Sequence, residues 1–564
     1  MRVLFSALHF GYFRNFESTI VDLVRRGHQV HIAADEPDAF GGETLVERLA
    51  GEYPGVTFGF APSLDDEAWF RVARKLRVGF DYVRFHDGAF ADFRKTRAHL
   101  ADRIPRGLLR LLASPVFGGS GGRRALMGML WALEQLMPVS EASRAFIERH
   151  DPDIVLLASV TAWRAPQIDH LRAARALGRR VGICVFSWDH LSSKALLRMV
   201  PDRVFVWNET QKREAVTWHR MPADRVVVTG AQCYDQWFDR GPSRDRTSFC
   251  RAVGLSADHP ILLYVCSVMT PDPCESRFVL RWIEEIRRSP DPRLREAGIL
   301  VRPHPERMEE WEGVSLERFG NAVLYGRNPL NPDAKADYFD SLYHSHAVVG
   351  LVTSAFLEAA IVGRPVHTLL LPEFEMYQEG VQHFRYLIEV EGGILKVTRS
   401  FPDHLTQLAS ALAQPVRRDE QNSRFVRAFV RPQGLDVAAT PALVAAIEDM
   451  AATSPLPAGG PAIWQRAAQP LVRVLVQSAD EGWLRTAMRD TRELERDVTE
   501  AAKEAAKAEY KEAAARRKAE RLAEKTRVLE TRRDERRREQ RTGARRKQIA
   551  RLKGVVKALV GLSS

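Results

Sequence analysis

The stretch Met1–Ala34, MRVLFSALHFGYFRNFESTIVDLVRRGHQVHIAA, contains the pattern that decides the fold. Met1–Ala7 is apolar enough for a buried strand, and Glu17–Arg26 has apolar residues at helical spacing. Gly27 ends this helix, and Gln29–Ala34 is a second apolar strand. A strand, a helix and a strand in this order form a βαβ unit, so a parallel sheet is predicted.

The alternation of strands and helices continues in two blocks, which are separated by a segment rich in Gly, Pro and charge at 239–245. We therefore predict an α/β protein of two tandem Rossmann-like, doubly wound lobes, residues 1–240 and 241–450, with a cleft between them. Ligands of such sheets bind at the carboxyl ends of the strands. Polar residues directly after strands are therefore the candidates for a site.

The C-terminal part differs in composition from the two blocks. The sequence predicts a linker at 451–462 and a basic helical, coiled-coil-like tail at 463–564. Thr491–Ser564 has 23 Lys and Arg against 13 Asp and Glu, a net of +10, so the tail carries nearly all of the formal charge of +11. Ile549–Leu562 is a basic amphipathic helix, a type that lies on anionic membranes or packs on a partner. Within Thr491–Ser564 the charges are of both signs and Tyr510 is the single aromatic residue, which argues against nucleic acid as a partner.

Cysteine usage and hydropathy indicate the compartment. The five cysteines include no C-x-x-C pair, which argues against a zinc ribbon or a disulfide framework and fits a reducing environment. The N-terminal sequence lacks the apolar run and the cleavage site of a signal peptide. No window reaches the roughly 18 apolar residues that a membrane span needs. A cytoplasmic protein is predicted, with peripheral contact to the inner face of the cytoplasmic membrane through the tail.

The segment Thr353–Val366, TSAFLEAAIVGRPV, places a hydroxyl pair between a predicted strand and a predicted helix. Free N–H groups at the start of a helix favour phosphate, and the hydroxyls of Thr353 and Ser354 add donors. Glu358 lies one turn into the helix and can reach a ribose or sugar hydroxyl. The alternative is an N-cap followed by an ordinary surface helix.

A second segment, Leu300–Glu306, ends a predicted strand with a cation, an imidazole and two prolines. The prolines stiffen the turn and hold His304 at the end of the strand. Arg302 and His304 can neutralise a diphosphate leaving group or donate hydrogen bonds to it. Ser267 ends another strand and is a candidate to bind a phosphate oxygen. A purely structural role for His304 is the alternative.

These segments together resemble the C-terminal lobe of GT-B glycosyltransferases. They are similar to the group of bacterial Kdo transferases, UDP-N-acetylglucosamine 2-epimerases, capsular polysaccharide transferases and CDP-glycerol glycerophosphotransferases. In that group an H-P pair after a strand and a Ser–helix–Glu…G-x-P segment build the nucleotide-diphosphate site. Here the matching residues are His304-Pro305, Ser354, Glu358 and Gly363-x-Pro365.

The first lobe carries further matching motifs. Ser187–Lys194, SWDHLSSK, is similar to an S-W-D-x-L-x-S-K loop of bacterial members, and Thr229-Gly230-x-x-x-x-Asp235 resembles the turn before the interlobe linker. Two features depart from the group: Arg302-Pro303 stands where Lys is frequent, and the first loop, Leu8–Arg14, is not rich in glycine. No D-x-D pair ends a strand, which disfavours the metal-dependent GT-A alternative.

The resemblance implies a metal-independent glycosyltransferase that moves a sugar from a nucleotide-sugar donor to a glycan or lipid-linked acceptor, in bacterial surface polysaccharide synthesis. Because the nucleotide sugar is a substrate, neither a cofactor nor a metal is expected. The predicted catalytic residues are Asp189, His304 and Glu358. The predicted nucleotide-sugar ligands are Ser267, Arg302, His304, Thr353, Ser354 and Glu358. The predicted acceptor side consists of His9, Glu17, Asp189 and Lys194.

Asp189 is the first candidate for the base that deprotonates the acceptor, because it follows a predicted strand and should project into the cleft. An N-cap for a helix that begins at Ser192 is the alternative for Asp189. His9 and Glu17 are further candidates for the base. Lys194 can bind an acidic acceptor, and the alternative is an ordinary surface lysine.

Three other functions fit the same sequence. A CDP-glycerol-type glycerophosphotransferase or a nucleotide-sugar 2-epimerase would use the same cleft. A catalytically degenerate GT-B scaffold that acts through its helical tail would belong to a different class. Stabilisation by a nucleotide diphosphate separates the enzymes from the scaffold.

Overall fold

The structure is a computed structural model that describes residues 1–38, 41–163, 165–269, 274–326, 332–414, 420–457, 463–478, 487–493, 496, 538 and 540–556. The first lobe contains β1 (Arg2–Ala7), α1 (Glu17–Arg25), β2 (Gln29–Ala34), α2 (Gly42–Glu52), β3 (Val56–Phe60), α3 (Ala68–Arg84), α4 (Arg94–Ala101), α5 (Arg106–Ala113), α6 (Ser120–Gln135), α7 (Glu141–His150), β4 (Ile154–Leu157), α8 (Gln167–Ala176), β5 (Arg180–Cys184), β6 (Arg203–Val206), α9 (Glu209–Thr217) and β7 (Val226–Val228). The short helix α10 (Asp235–Asp239) follows.

The second lobe contains α11 (Arg246–Val253), β8 (Ile261–Val265), α12 (Glu275–Arg287), α13 (Pro292–Arg295), β9 (Gly298–Arg302), β10 (Ala322–Leu324), α14 (Pro332–Tyr343), β11 (Ala347–Val349), α15 (Ala355–Ile361), β12 (Val366–Leu369), α16 (Gln382–Glu389), β13 (Leu395–Thr398), α17 (Phe401–Ala413) and α18 (Glu420–Phe429). The helices α19 (Ala439–Ala452) and α20 (Ile463–Ser478) come after it.

The first sheet has seven strands in the order β3-β2-β1-β4-β5-β6-β7, and every described pair is parallel. The central strands β4 and β5 are apolar and almost wholly buried, because helices cover both faces of a parallel sheet. The chain places β2 and then β3 on one side of β1, and it places β4 on the other side of β1. This reversal at β1 and β4 is the point at which such sheets bind ligands.

The second sheet has six parallel strands in the order β10-β9-β8-β11-β12-β13 and reverses between β8 and β11. The last strand, Leu395–Thr398, is absent from the sequence prediction because its burial alternates and its apolar run is short. Two doubly wound parallel sheets confirm the predicted α/β fold class.

The chain crosses from the second lobe back to the first. The apolar face of α19 lies in the core of the first lobe, through Leu443, Val444, Ile447 and Met450. The sequence prediction places these residues in the lobe at 241–450. The structure differs because α19 contacts α1 and β5, and an amphipathic pattern does not show which lobe covers it.

The start of the tail also differs from the predicted boundary. Val472 and Val476 of α20 pack against Val72 and Ala73 of α3, so α20 covers the helices of the first lobe. The chain separates instead at residue 490, into a unit that ends at Arg489 and a unit that begins at Asp490.

In the second unit, residues 540–556 are helical and exposed. Residues 497–537, the central part of the predicted coiled-coil-like tail, lie outside the described residues. No helix in the described part of the chain is long and apolar enough to cross a membrane.

Candidate active site

The loops at the carboxyl ends of the two sheets face each other across a cleft. Glu17, which follows the loop after β1, lies 3.5 Å from the ammonium group of Lys335 on α14. Trp188, in the loop after β5, contacts the ring of His383 on α16 edge-on at 4.8 Å. Residues that follow the strands of the first lobe therefore lie beside helices of the second.

Arg14 is a cation of the first lobe in this cleft. It lies in the 3-10 helix Phe10–Asn15 directly after β1, and it is exposed. Its positive charge acts on the protonation of His304 and Glu358, which both belong to the second lobe. An exposed guanidinium offers two-pronged hydrogen bonding to a phosphate group. Arg14 is not among the residues predicted from the sequence.

His304 follows β9 and is neutral near pH 7. The backbone N–H of Glu306 donates a hydrogen bond of 3.2 Å to Nδ1 of His304, so the ring proton lies on Nε2. Burial and the nearby charge of Arg14 lower the pKa of His304 to about 4. The ring can donate one hydrogen bond from Nε2 without carrying charge. The sequence prediction gives His304 a share in charge neutralisation, and its low pKa leaves it only the role of a donor.

Glu358 lies on the first turn of α15 and is half-buried. Burial raises the pKa of Glu358 to about 7, although the Tyr338 hydroxyl and the charge of Arg14 act in the opposite direction. The Tyr338 hydroxyl, on α14, donates a hydrogen bond to Oε2 of Glu358. Glu358 therefore exchanges a proton near neutral pH, which suits a group that accepts from or donates to a substrate.

The hydroxyl pair Thr353-Ser354 lies between β11 and α15, one turn before Glu358. The backbone N–H of Ala355 donates to Oγ1 of Thr353 at 3.3 Å. Ser354 is exposed, and its side chain caps no N–H of α15. The Ser354 hydroxyl is accessible to a ligand, whereas the Thr353 oxygen already holds the turn.

Ser267 and Arg302 lie behind this surface. The Ser267 hydroxyl donates to buried Glu275 at 3.2 Å and accepts from the Val352 N–H at 3.2 Å. Arg302 is 6% exposed and is paired with Asp337 at 3.2 Å. Both side chains thus link strand ends to neighbouring elements, and a direct role in ligand binding stays a prediction.

Asp189 lies in the loop after β5 and is held in its ionised form. Burial alone would raise the pKa of Asp189, but the charges of Lys194 and His383 and two hydroxyl donors hold it well below its usual range. The Ser187 hydroxyl donates to Oδ1 of Asp189, and the Ser193 hydroxyl donates to Oδ2 at 3.0 Å. Lys194 lies over the ring of Phe186 at 4.6 Å from its centre.

Asp189 and Glu358 belong to one region, because both carboxylates act on Tyr234, and so does Arg14. Tyr234 is 6% exposed and lies in the short segment between the lobes. Asp189, Glu358 and Arg14 therefore all lie within electrostatic range of Tyr234, and His304 lies within range of the Arg14 charge.

His9 and Glu17 lie at the rim of the first lobe. The ring of His9 contacts that of Tyr12 at a tilt, with centroids 4.3 Å apart, and burial lowers the pKa of His9. Glu17 is bound by Arg48 at 2.6 Å as well as by Lys335. The carboxylate of Glu17 is therefore already used in holding α1, α2 and the second lobe together.

Sequence reasoning missed Arg14, Tyr338 and His383. Arg14 stands in the first loop, and a cation directly after the first strand of a parallel sheet is the signal that could have identified it. Tyr338 and His383 lie inside helices, and only the fold brings them to Glu358 and Asp189. Among the described residues, no three His, Cys, Asp or Glu side chains group in a way that could hold a metal ion.

No family model matches this chain. No curated protein is similar enough in sequence to match it either. Among solved structures, the UDP-GlcNAc 2-epimerase of Methanocaldococcus jannaschii in complex with UDP-GlcNAc and UDP aligns with a TM-score of 0.44 at 11% identity, over 80% of this chain and 99% of that one. A glycosyltransferase from Rickettsia africae aligns with a TM-score of 0.45 at 11% identity, over 80% of this chain and 99% of that one.

WaaG, a glycosyltransferase involved in lipopolysaccharide biosynthesis, aligns with a TM-score of 0.41 at 12% identity, over 80% of this chain and all of that one. These proteins are of the kinds that the sequence resembles. Identity is low and the TM-scores are below 0.5, so these alignments assign no function to this chain.

Proposed function

We propose that this protein is a metal-independent glycosyltransferase that moves a sugar from a nucleotide-sugar donor to a hydroxyl of a glycan or lipid-linked acceptor, in bacterial surface polysaccharide synthesis. One observation carries the proposal: Arg14 of the first lobe acts on both His304 and Glu358 of the second lobe. A cation, a neutral hydrogen-bond donor and a carboxyl group around one cleft are complementary to a diphosphate joined to sugar hydroxyls.

The donor would lie on the second lobe. The Arg14 guanidinium would bind the diphosphate, with hydrogen bonds from Nε2 of His304 and from the Ser354 hydroxyl. Glu358 would accept a hydrogen bond from a ribose or sugar hydroxyl in its ionised form. Charge that develops on the leaving diphosphate would be stabilised by groups already fixed in place, which is the arrangement that favours the transition state.

The acceptor would enter on the side of Asp189. In the transfer step, the bond between the anomeric carbon and the diphosphate oxygen breaks, and that oxygen keeps the electron pair. The anomeric carbon bonds to the acceptor oxygen, and the acceptor's proton passes to the Asp189 carboxylate. Because the pKa of Asp189 lies well below its usual range, the carboxylate is ionised throughout the physiological range, and as a weak base it would take the proton only as the acceptor oxygen bonds to the anomeric carbon and becomes acidic.

Donor cleavage tests the proposal. The full-length protein would be incubated with UDP-, GDP-, CMP- and CDP-linked compounds, with and without acceptor extracts, and release of the nucleotide would be measured. We expect turnover with one donor class, and a loss of at least about a hundredfold in His304→Ala and in Glu358→Ala. His259→Ala and Glu317→Ala, in the same lobe but outside the cleft group, serve as matched controls. Near-normal turnover in both cleft variants would overturn the assignment.

A second candidate, a nucleotide-sugar 2-epimerase, is favoured by one specific observation, the pKa of Glu358 of about 7. A carboxyl group that titrates at neutrality can remove and return a proton on carbon. Incubation with UDP-GlcNAc in deuterated water separates the two reactions. Deuterium at C2 of the recovered sugar nucleotide identifies the epimerase, and its absence together with transfer to an acceptor identifies the transferase.

We further propose that the tail contacts anionic membrane. In the helix at 540–556, Ile549, Leu552 and Val556 are 48%, 59% and 55% exposed and lie on one face at spacings of three and four residues. The same helix carries Arg545, Arg546, Lys547, Arg551 and Lys553, all exposed. Apolar residues on one face beside many cations are typical of helices that lie in the membrane interface. Such contact would bring a lipid-linked acceptor near the enzyme.

A further inference from the structure

A second cavity lies outside the site described above, where α10 meets α14 and the end of α15. Its volume is about 320 Å³, at the lower end of the range for small-molecule sites. The wall includes Trp237 and Phe238 from α10, Phe339 and Tyr343 from α14, and Arg364 from the turn after α15.

Arg364 is the unusual group in this cavity. It is 8% exposed, and its Nε atom has no hydrogen-bond partner among the residues that the structure describes. The Arg364 guanidinium lies 5.1 Å from the centre of the Tyr343 ring, and burial lowers its pKa with Tyr343 as the one group acting against it. A buried cation with neither a carboxylate nor a full set of hydrogen bonds costs free energy, unless an anion completes it.

The rest of the wall is aromatic and flat. The rings of Trp237 and Phe339 stack with centroids 5.8 Å apart, and Phe339 stacks on Tyr343 at 6.0 Å. Arg240 also lines the cavity and is half-buried, with Gln236 as an acceptor at 3.4 Å. Stacked aromatic faces bind a flat ring, and two arginines beside them favour negative charge.

We propose that this cavity is a binding site for a small anionic ligand, in which Arg364 binds a phosphate or carboxylate group and the wall of Trp237, Phe339 and Tyr343 holds a flat ring. The site is separate from the proposed donor site but shares elements with it. Arg364 lies just beyond α15, which carries Glu358, and Trp237 contacts Tyr338, the hydroxyl donor to Glu358, edge-on at 5.5 Å.

Phenyl phosphate combines the two features that the cavity would recognise and is the probe for the test. Its binding to the full-length protein would be measured by titration calorimetry, together with inorganic phosphate and benzyl alcohol, which carry one feature each. We expect phenyl phosphate to bind at least tenfold more tightly than either. Absence of saturable binding by phenyl phosphate, or equal affinity for inorganic phosphate, overturns the proposal.

Variants locate the bound probe. Arg364→Met keeps much of the side-chain volume and removes the charge, and we expect at least a tenfold loss of affinity for phenyl phosphate. Trp237→Leu removes one ring of the wall, so it should lower the affinity for phenyl phosphate and leave the affinity for inorganic phosphate unchanged. His304→Ala should bind the probe like the wild type, because His304 belongs to the other site. Full affinity in Arg364→Met, or a loss confined to His304→Ala, overturns the assignment.

Unfolding of the same variants provides a second measurement. Since the free protein buries the Arg364 charge without a counterion, Arg364→Met should melt at the same temperature as the wild type or higher, and phenyl phosphate should stabilise only the wild type. A marked fall in melting temperature in Arg364→Met, with the probe stabilising both proteins equally, would show that Arg364 has a structural role and would contradict the proposal.

Discussion

The Tyr386 hydroxyl of the second lobe donates a hydrogen bond of 2.6 Å to Oε1 of Glu214 in the first lobe. Glu214 is 3% exposed, so its carboxyl group is almost wholly withdrawn from water. Burial raises the pKa of Glu214 to about 8, although the Tyr386 hydroxyl acts in the opposite direction. The two lobes are thus joined at a buried carboxyl group that is protonated at neutral pH.

This carboxyl group predicts a fall in stability with rising pH. Between about pH 4.5 and pH 8, the unfolded chain has released the Glu214 proton while the folded protein keeps it, so each pH unit removes about 1.4 kcal/mol from the free energy of unfolding. Glu214→Gln cannot ionise and should escape this loss. Urea unfolding of both proteins at pH 5, 6, 7 and 8 measures how the free energy of unfolding changes with pH. Glu47→Gln replaces an exposed glutamate of α2 and is the control for the effect of an amide in place of a carboxylate. A difference between wild type and Glu214→Gln that is independent of pH would contradict the prediction.

Arg14 should control affinity for the nucleotide. Arg14→Ala removes the cation that acts on His304 and Glu358, and we expect about a tenfold to hundredfold loss of affinity for a nucleoside diphosphate, because a charged hydrogen bond contributes about 1.5–3 kcal/mol. Thermal shifts over a series of ligand concentrations give the affinity. Arg25→Ala, at the exposed far end of α1, is the matched control. Equal shifts in wild type and Arg14→Ala would remove Arg14 from the site.

The Tyr338 hydroxyl should set the pH at which Glu358 ionises. Its hydrogen bond lowers the pKa of Glu358, so Tyr338→Phe should raise that pKa above about 7. If the ionised carboxylate binds the donor, the ascending limb of the profile of kcat/KM against pH moves to higher pH in the variant. The fully ionised enzyme should keep most of its activity at high pH. An unshifted profile with a uniform loss of activity would mean that Tyr338 acts only through packing.

Asp189 should act on the chemical step and not on donor binding. Asp189→Asn keeps the shape and loses the proton acceptor, so kcat should fall by about a hundredfold to ten-thousandfold. The affinity for the nucleoside diphosphate should stay within about twofold, because the proposed donor site lies mainly on the other lobe. Steady-state transfer and nucleotide binding measured side by side distinguish the two effects. An intact kcat would exclude Asp189 as the base.

The apolar face at 540–556 should bring the protein to anionic vesicles. Flotation with vesicles containing phosphatidylglycerol should recover the full-length protein at low salt and less of it at high salt. Leu552→Asp with Val556→Asp should abolish flotation. The double variant Gln540→Asp with Ala544→Asp makes the same change of charge on the opposite face of the helix. It should weaken flotation only in part. Equal losses in both double variants would show that charge alone drives the binding.

Much of the fold follows from local patterns. The bounds of Gln29–Ala34 agree with the prediction to the residue, because short apolar strands between turn signals are distinctive. The position of α19 could not be predicted in the same way. An apolar stripe shows that a helix packs against a core, but it does not show which lobe provides that core.

The site is predictable only where a motif follows a strand. His304 stands out because it comes directly after a strand, and Glu358 because it lies one turn into the helix that follows a strand. Tyr338 acquires its role only when α14 packs beside α15. The protonation state of His304 also depends on the folded protein, because burial and Arg14 together determine its pKa. The sequence therefore indicates which chemical groups are present, and only the fold determines which of them carry charge.

The return of α19 to the first lobe has a consequence for the order of folding during synthesis. Leu443, Val444, Ile447 and Met450 fill the core of a lobe whose first strand begins at Arg2, and the whole second sheet lies between them in the chain. On the ribosome, the second lobe can complete its sheet while the first still lacks one wall. A fragment that ends near residue 240 would leave apolar surface of α1 and β5 open to water, and we expect it to aggregate where the intact chain folds.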